Sequence, residues 1–122
     1  MPFTIATAQK ILNKILRGIN FVHPTGLRVS LHTASLGEDG ANEVTGGGYE
    51  RQAVTYSAPV TKTASNPSRV EWDDMPACTV THVGLWDTEG DFWWGGPLTA
   101  EKIIGAGDSF RLPEGSLPTT LT

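Results

Sequence analysis

The chain has 122 residues, with fourteen glycines, eight prolines, a single cysteine and a net charge of −4. That length suits one domain of the common size, about 100–150 residues, with a core of its own. Scattered charge without a Lys/Arg cluster excludes a nucleic-acid footprint, the lone Cys78 excludes an internal disulfide and a thiolate zinc site, and no run nears the ~18–20 apolar residues of a membrane span.

The N-terminus lacks the charged-then-apolar layout of a signal peptide, so synthesis in a cytoplasm is expected. Residues 4–18 predict the one convincing helix. Ala8, Ile11, Leu12, Ile15, Leu16 and Ile19 recur at helical spacing. Gln9, Lys10, Asn13, Lys14 and Arg17 take the other face. Thr4 or Thr7 is placed to cap its start and Gly18 to close it at C′. The apolar stripe is long for a small domain. It either packs on a sheet of the same chain or docks on another subunit.

Residues 27–33 alternate, with Leu27, Val29 and Leu31 on one face and Arg28, Ser30 and His32 on the other. Residues 37–48, GEDGANEVTGGG, read as a long polar loop ended by three glycines. That predicts a flexible tip or backbone passing close to another surface. A second strand is expected over 49–56, a weak extension over 58–63, and a short strand with Val70 and Trp72 over 69–72. Asn66-Pro67 turns the chain before it.

Residues 78–96, CTVTHVGLWDTEGDFWWGG, predict the central hairpin. Val80, His82, Gly84 and Trp86 point one way and Thr81, Val83 and Leu85 the other. Residues 87–90 supply the turn, where Gly90 takes positive φ. The second arm holds Phe92, Trp93 and Trp94, three of the chain's ten aromatics. At roughly 150–250 Å² of buried surface each, these rings and Trp86 place the core here. Beyond Gly95-Gly96-Pro97, further apolar positions fall at Leu98, Ile103 and Ile104, at Phe110 and Leu112, and at Leu117 and Leu121. About seven or eight short antiparallel strands, with turn signals every ~8–12 residues, predict an all-β fold. The expected form is a sandwich or jelly-roll-like domain over 27–121, behind one N-terminal amphipathic helix, with 1–122 as a single domain.

No catalytic constellation accompanies this pattern. The serines lie outside any G-x-S-x-G context. His23, His32 and His82 fall in three separate elements without zinc-ligand spacing. Asp73, Asp74, Asp87, Glu89 and Asp91 read as solvated turn acids, neither a calcium loop nor a glycosidase pair. Gly105-Ala106-Gly107 lacks the third glycine and the helix of a dinucleotide loop. No catalytic residue, metal or cofactor is expected. Trp93 and Trp94 are adjacent and so face opposite sides of a strand. One enters the core, and the other stands outward or is covered by something. An outward Trp suits a protein interface or a sugar.

Four segments then carry a family resemblance: the LHTA and GGGYERQAV stretches within 27–56, SNPSRVEW at 65–72, VTHVGLWD within 75–99, and AGD within 105–117. Together the chain resembles the small tail-fibre-type structural proteins of tailed bacteriophages, over nearly its whole length. The resemblance implies a non-enzymatic virion protein, made in the host cytoplasm, that acts through protein-protein contacts. As a tail-fibre or tail-tip surface module it binds other tail proteins. The alternative is a capsid decoration (cement) protein at junctions between major capsid subunits. A further alternative is a carbohydrate-binding adhesin module that holds a host surface glycan on an outward Trp. The partners expected are other virion proteins and further copies of the chain, in a homo-oligomer of trimeric form by analogy with phage surface modules. The contact residues expected are Ile11, Leu12, Ile15 and Leu16 on the helix, Glu43 in the 37–48 loop, and Trp93 and Trp94.

Overall fold

The computed structural model describes residues 3–121. One helix, α1 (Ile5–Arg17), precedes eight strands: β1 (Arg28–His32), β2 (Gln52–Ala53), β3 (Thr63–Ala64), β4 (Val70–Trp72), β5 (Cys78–Trp86), β6 (Phe92–Ile104), β7 (Phe110–Leu112) and β8 (Thr119–Thr120). Every strand pair is antiparallel. β2, β1, β5 and β6 form a four-stranded sheet in that order, and β3–β8 and β4–β7 form two ribbons. The sheets do not close into a barrel.

The period-2 pattern of β1 and β5 places the core. Val29 lies opposite Leu85, Leu31 opposite Val83, and Leu85 opposite Trp94, so these five side chains share one face. They join Val70, Trp72, Phe110 and Leu112 of the β4–β7 ribbon, with Met75, Ile104 and Leu117, in one hydrophobic cluster. Trp72 and Phe110 pack with ring centroids 5.7 Å apart.

Three departures from simple alternation matter. The β5–β6 register shifts between Val80 and His82. Val80 is therefore fully buried in the core cluster beside Val83 and Leu85 rather than sharing a face with His82. Second, β6 runs unbroken through Gly95-Gly96-Pro97, where the sequence suggests a break. It is the edge strand of the sheet, where proline is tolerated. Gly95 serves close approach there: a Cβ would sit 2.6 Å from Val83 O and 2.8 Å from Leu36 Cδ2. Third, the strand expected over 49–56 shrinks to Gln52–Ala53, because the Tyr49 and Arg51 side chains turn toward the preceding loop.

That loop covers the second face of the sheet. Thr33 N–H donates to Asn42 O at 3.0 Å and Val44 N–H to Leu31 O at 2.9 Å, folding residues 33–44 back on β1. Leu36, Gly40 and Val44 are buried. Gly40, at φ 75°, lies so close to Trp86 that a Cβ would be 2.4 Å from its Cζ2. Gly48 N–H donates to Asp74 O at 2.8 Å. Of the two expectations for this loop, close passage against another surface is the one observed, and that surface is the chain's own sheet.

Candidate assembly surface

The sequence of α1 makes an amphipathic helix, and its caps fix both ends. Thr4 is the N-cap, its hydroxyl accepting from Thr7 N–H at 3.1 Å, and Gly18 closes the helix in the left-handed conformation at φ 66°. Glu38 of the loop accepts from Ile5 N–H at 2.8 Å, a carboxylate at the positive end of the helix. Lys14 and Arg17 sit in the last turn.

The helix meets the body through its polar side. Thr7 Oγ1 donates to Trp93 O at 2.6 Å, and Thr4 N–H reaches the same carbonyl at 3.2 Å. Lys10 Nζ lies 4.5 Å from the centroid of the Trp93 ring, a cation–π contact. The apolar side points away. Leu12, Ile15 and Leu16 are 55%, 70% and 74% exposed, Ile5 is exposed too, and Ile11 is half-buried. Ile19 and Val22 continue the exposed stripe past the cap. Burying such a side chain is worth about 1.5–3 kcal/mol, so leaving this stripe in water forgoes several kcal/mol.

Trp93 and Trp94 are both buried, at 4% and 8% exposure. Neither stands outward; both are covered by parts of the chain itself. Leu85 pairs with Trp94 and Trp86 with Phe92, which leaves Trp93 as the extra residue of a β-bulge. The bulge aims its indole at the base of α1. There Phe21 packs at 6.2 Å between centroids and the indole N–H donates to Asp87 Oδ2 at 3.0 Å. Burial pushes the Asp87 carboxyl up, but donors from Asp91, Trp93, Glu89 and Gly90 outweigh it and hold the group below its usual range. Trp94 lies in the core, with Phe3 edge-on at 5.3 Å, Tyr56 at 6.5 Å, and its N–H on Thr119 Oγ1 at 3.1 Å.

Glu43 sits where the loop crosses β1, in a bridge with His32. Its carboxylate takes a two-pronged grip from Arg51, at 3.0 and 2.8 Å, and accepts from Tyr49 OH at 2.7 Å. Tyr49 OH accepts in turn from Leu31 N–H at 2.9 Å. Burial raises the Glu43 pKa, but the bonds from Arg51 and Tyr49 outweigh it and leave it lowered. The Arg51 guanidinium stacks 3.7 Å over the Trp86 ring. Beneath it Trp86 Nε1 donates to Ser30 Oγ at 2.7 Å, and Ser30 Oγ lies 2.6 Å from His32 Nε2. The His32 Nδ1 donates to Ala41 O at 2.7 Å. A serine against a histidine resembles a nucleophile and its base. Both residues are fully buried under the loop, out of reach of a substrate. Sequence alternation placed Ser30 and His32 on one face, but their pairing depends on the loop, which periodicity does not see.

Two comparisons with known proteins bear on this surface. A family model described as Podophage GP4 fiber I protein gp80 matches residues 2–120. The chain belongs to that family. It is a phage fibre-type structural protein, and the family places it in the virion among other virion proteins. No curated protein matches the chain. Among the described residues of this fibre-family chain, no helix is long and apolar enough to cross a membrane.

Proposed function

We propose that this fibre-family protein is a non-enzymatic tail-fibre or tail-tip surface module, folded as one domain, that works by protein-protein contact. The observation that carries the reading is the direction of α1. Thr4, Thr7 and Lys10 are engaged with the body, while Leu12, Ile15 and Leu16 face solvent. A folded monomer gains nothing from that arrangement, whereas a protein that docks through the stripe does. The contact residues are Ile11, Leu12, Ile15 and Leu16. Trp93 and Glu43 act behind them, Trp93 by seating the helix base and Glu43 by fastening the loop that supplies Glu38 to the helix N-terminus.

A glycan reading gains no support from the two tryptophans, since neither indole offers a free face. Cryo-electron microscopy of the intact particle tests the proposal. Density for this chain on the tail, with α1 against a neighbour, is the expected result. Density at junctions between major capsid subunits makes the protein a cement protein instead. A particle without this chain sinks the virion reading.

A further inference from the structure

We propose that the groove between β6 and β7 is a strand-docking site. It receives an extended segment of a different virion protein, with apolar side chains at alternate positions and an acidic residue at one end. The groove uses residues other than the outward stripe of α1, and it stands whether or not that stripe docks.

The strands leave one place open. β6 is an edge of the four-stranded sheet, and among the described residues β7 pairs with β4 alone. β2, at the other edge of the sheet, lies close to β4. The strands therefore follow one another as β6-β5-β1-β2 and then β4-β7, without a link from β7 back to β6. These two strands are joined through residues 105–108, where Asp108 N–H donates to Gly105 O at 3.1 Å, yet they do not pair. Between them lies a cavity of about 660 Å³, lined by residues 97–102 on one side and 110–113 on the other.

The β6 wall of this groove is prepared for pairing. His82 pairs with Pro97 and Val80 with Lys102, so residues 98–101 stand against Thr81 alone. The bulge frees four residues from β5 within a continuous strand. Phe3 and Thr4 cover the edge of β6 at Trp93 and Trp94. Among the described residues, no strand pairs with 98–101. Extended backbone without a ladder partner is a template for another strand. Residues 98–102 offer it about five residues of edge, a usual strand length.

The lining sets the chemistry of the occupant. Val83, Leu98, Phe110, Leu112 and Leu117 line the groove and belong to the core or pack on it. A strand sends every second side chain to one face, so apolar residues at alternate positions fill this lining. Lys102, Ser109 and Arg111 line an adjoining hollow that holds no acidic side chain; Glu101 lines the groove but not the hollow. Arg111 shares Glu71 with Arg69, at 3.1 and 3.5 Å, so one carboxylate serves two guanidiniums. In a chain of net charge −4, this local excess of cations selects an acidic residue.

Free edges decide whose segment it is. A strand that pairs with both β6 and β7 needs both of its own edges free. Every strand of this chain already has a neighbour, so a second copy has none to give, and the occupant comes from another protein.

A library of random seven-residue peptides, displayed on yeast and selected on the purified full chain, tests the site. Enriched sequences should alternate apolar and polar residues and carry Asp or Glu at one end. A synthetic peptide of an enriched sequence should slow amide exchange at 98–101 and 110–112. Lys102→Glu, at an exposed position, should weaken that peptide at least ten-fold with an unchanged near-ultraviolet tryptophan signal. The same peptide with its acidic residue changed to lysine should regain binding to the variant. No enrichment, enriched peptides without alternation, protection elsewhere on the chain, or affinity that Lys102→Glu leaves unchanged overturns the site. Cryo-electron microscopy of the particle reads the occupant. An extended backbone between β6 and β7, continuous with a different virion protein, is expected. An empty groove, a compact density that is not polypeptide, or a segment of a second copy overturns the proposal and leaves the α1 reading untouched.

Discussion

At the scale of single residues, the loop is held by two groups that both lose their contribution as pH falls, in different windows. His32 is neutral by construction. The Ala41 carbonyl only accepts, so Nδ1 carries the proton; the Trp86 indole only donates, so Ser30 gives its own proton to Nε2. An imidazolium would aim a second donor at Ser30. Burial lowers the His32 pKa, the Ala41 carbonyl and Glu43 pull it up less, and Arg51 and His82 push it down. The unfolded chain takes up a proton below about pH 6.5 that the folded chain refuses. Stability is therefore complete above that value and falls as pH drops toward the folded pKa. The urea midpoint should fall between pH 7 and pH 5, and His32→Gln, though less stable at pH 7, should show a flatter profile there. An unaltered slope in that variant would remove His32 from the account. Glu43 works lower on the scale. Its carboxyl is held below the usual range, so its contribution is present above about pH 4 and is lost as pH falls through the folded value. Glu43→Ala leaves the Arg51 guanidinium and Tyr49 OH without their acceptor. The expected cost is about 2 kcal/mol by urea denaturation at pH 7. A cost below about 0.5 kcal/mol would mark the bridge as an ordinary surface pair.

At the scale of elements, the loop over the sheet depends on backbone passing where a side chain has no room. Gly40→Ala combines a left-handed φ of 75° with a Cβ 2.4 Å from the Trp86 ring. We expect a loss of about 3 kcal/mol from overpacking and backbone strain together, with changed Trp86 fluorescence and faster amide exchange over 37–48. Gly90→Ala is the control. Its φ is 90°, but a Cβ there meets nothing within 4 Å, so only the backbone strain remains. Equal losses for the two would mean that the contact with Trp86 contributes nothing. This loop also shows where sequence reading stops. α1 is legible to within a residue because Thr4 and Gly18 mark its ends, and its stripe is legible from spacing. The direction of the stripe is not, because it rests on the bond from Thr7 to a carbonyl 86 residues away. In the same way GEDGANEVTGGG reads as polar, and what folds it down is Tyr49 reaching Leu31 and Arg51 reaching Glu43. The burial of both Trp93 and Trp94 turns on a bulge, set by the partner strand's register and absent from the alternation of one strand.

For the molecule as a whole, the question is whether helix base, loop, sheet and ribbons fold as one unit. The four tryptophans sample separate regions. Trp72 packs in the β4–β7 ribbon against Phe110. Trp86 lies under Arg51 and Gly40 of the loop region. Trp93 seats the start of α1, and Trp94 ties β6 to Phe3 at one end of the described chain and to Thr119 at the other. The core cluster holds residues of β1, β4, β5, β6 and β7 with no division between the large sheet and the β4–β7 ribbon. Separate domains would each need a core of their own, and these strands share one. Urea unfolding followed by total tryptophan fluorescence and by far-ultraviolet dichroism should therefore give one transition with a common midpoint. Its slope should be about 1–3 kcal/mol per molar urea, as for a small domain that exposes its whole core at once. The far-ultraviolet curve is the one to watch. α1 touches the body mainly at its first turns, so a small early loss of helix signal under dilute conditions would report fraying of the outward stripe alone. Two well-separated fluorescence transitions would be a different matter. They would show that the ribbons and the large sheet are stable apart, and the single-domain reading would fall.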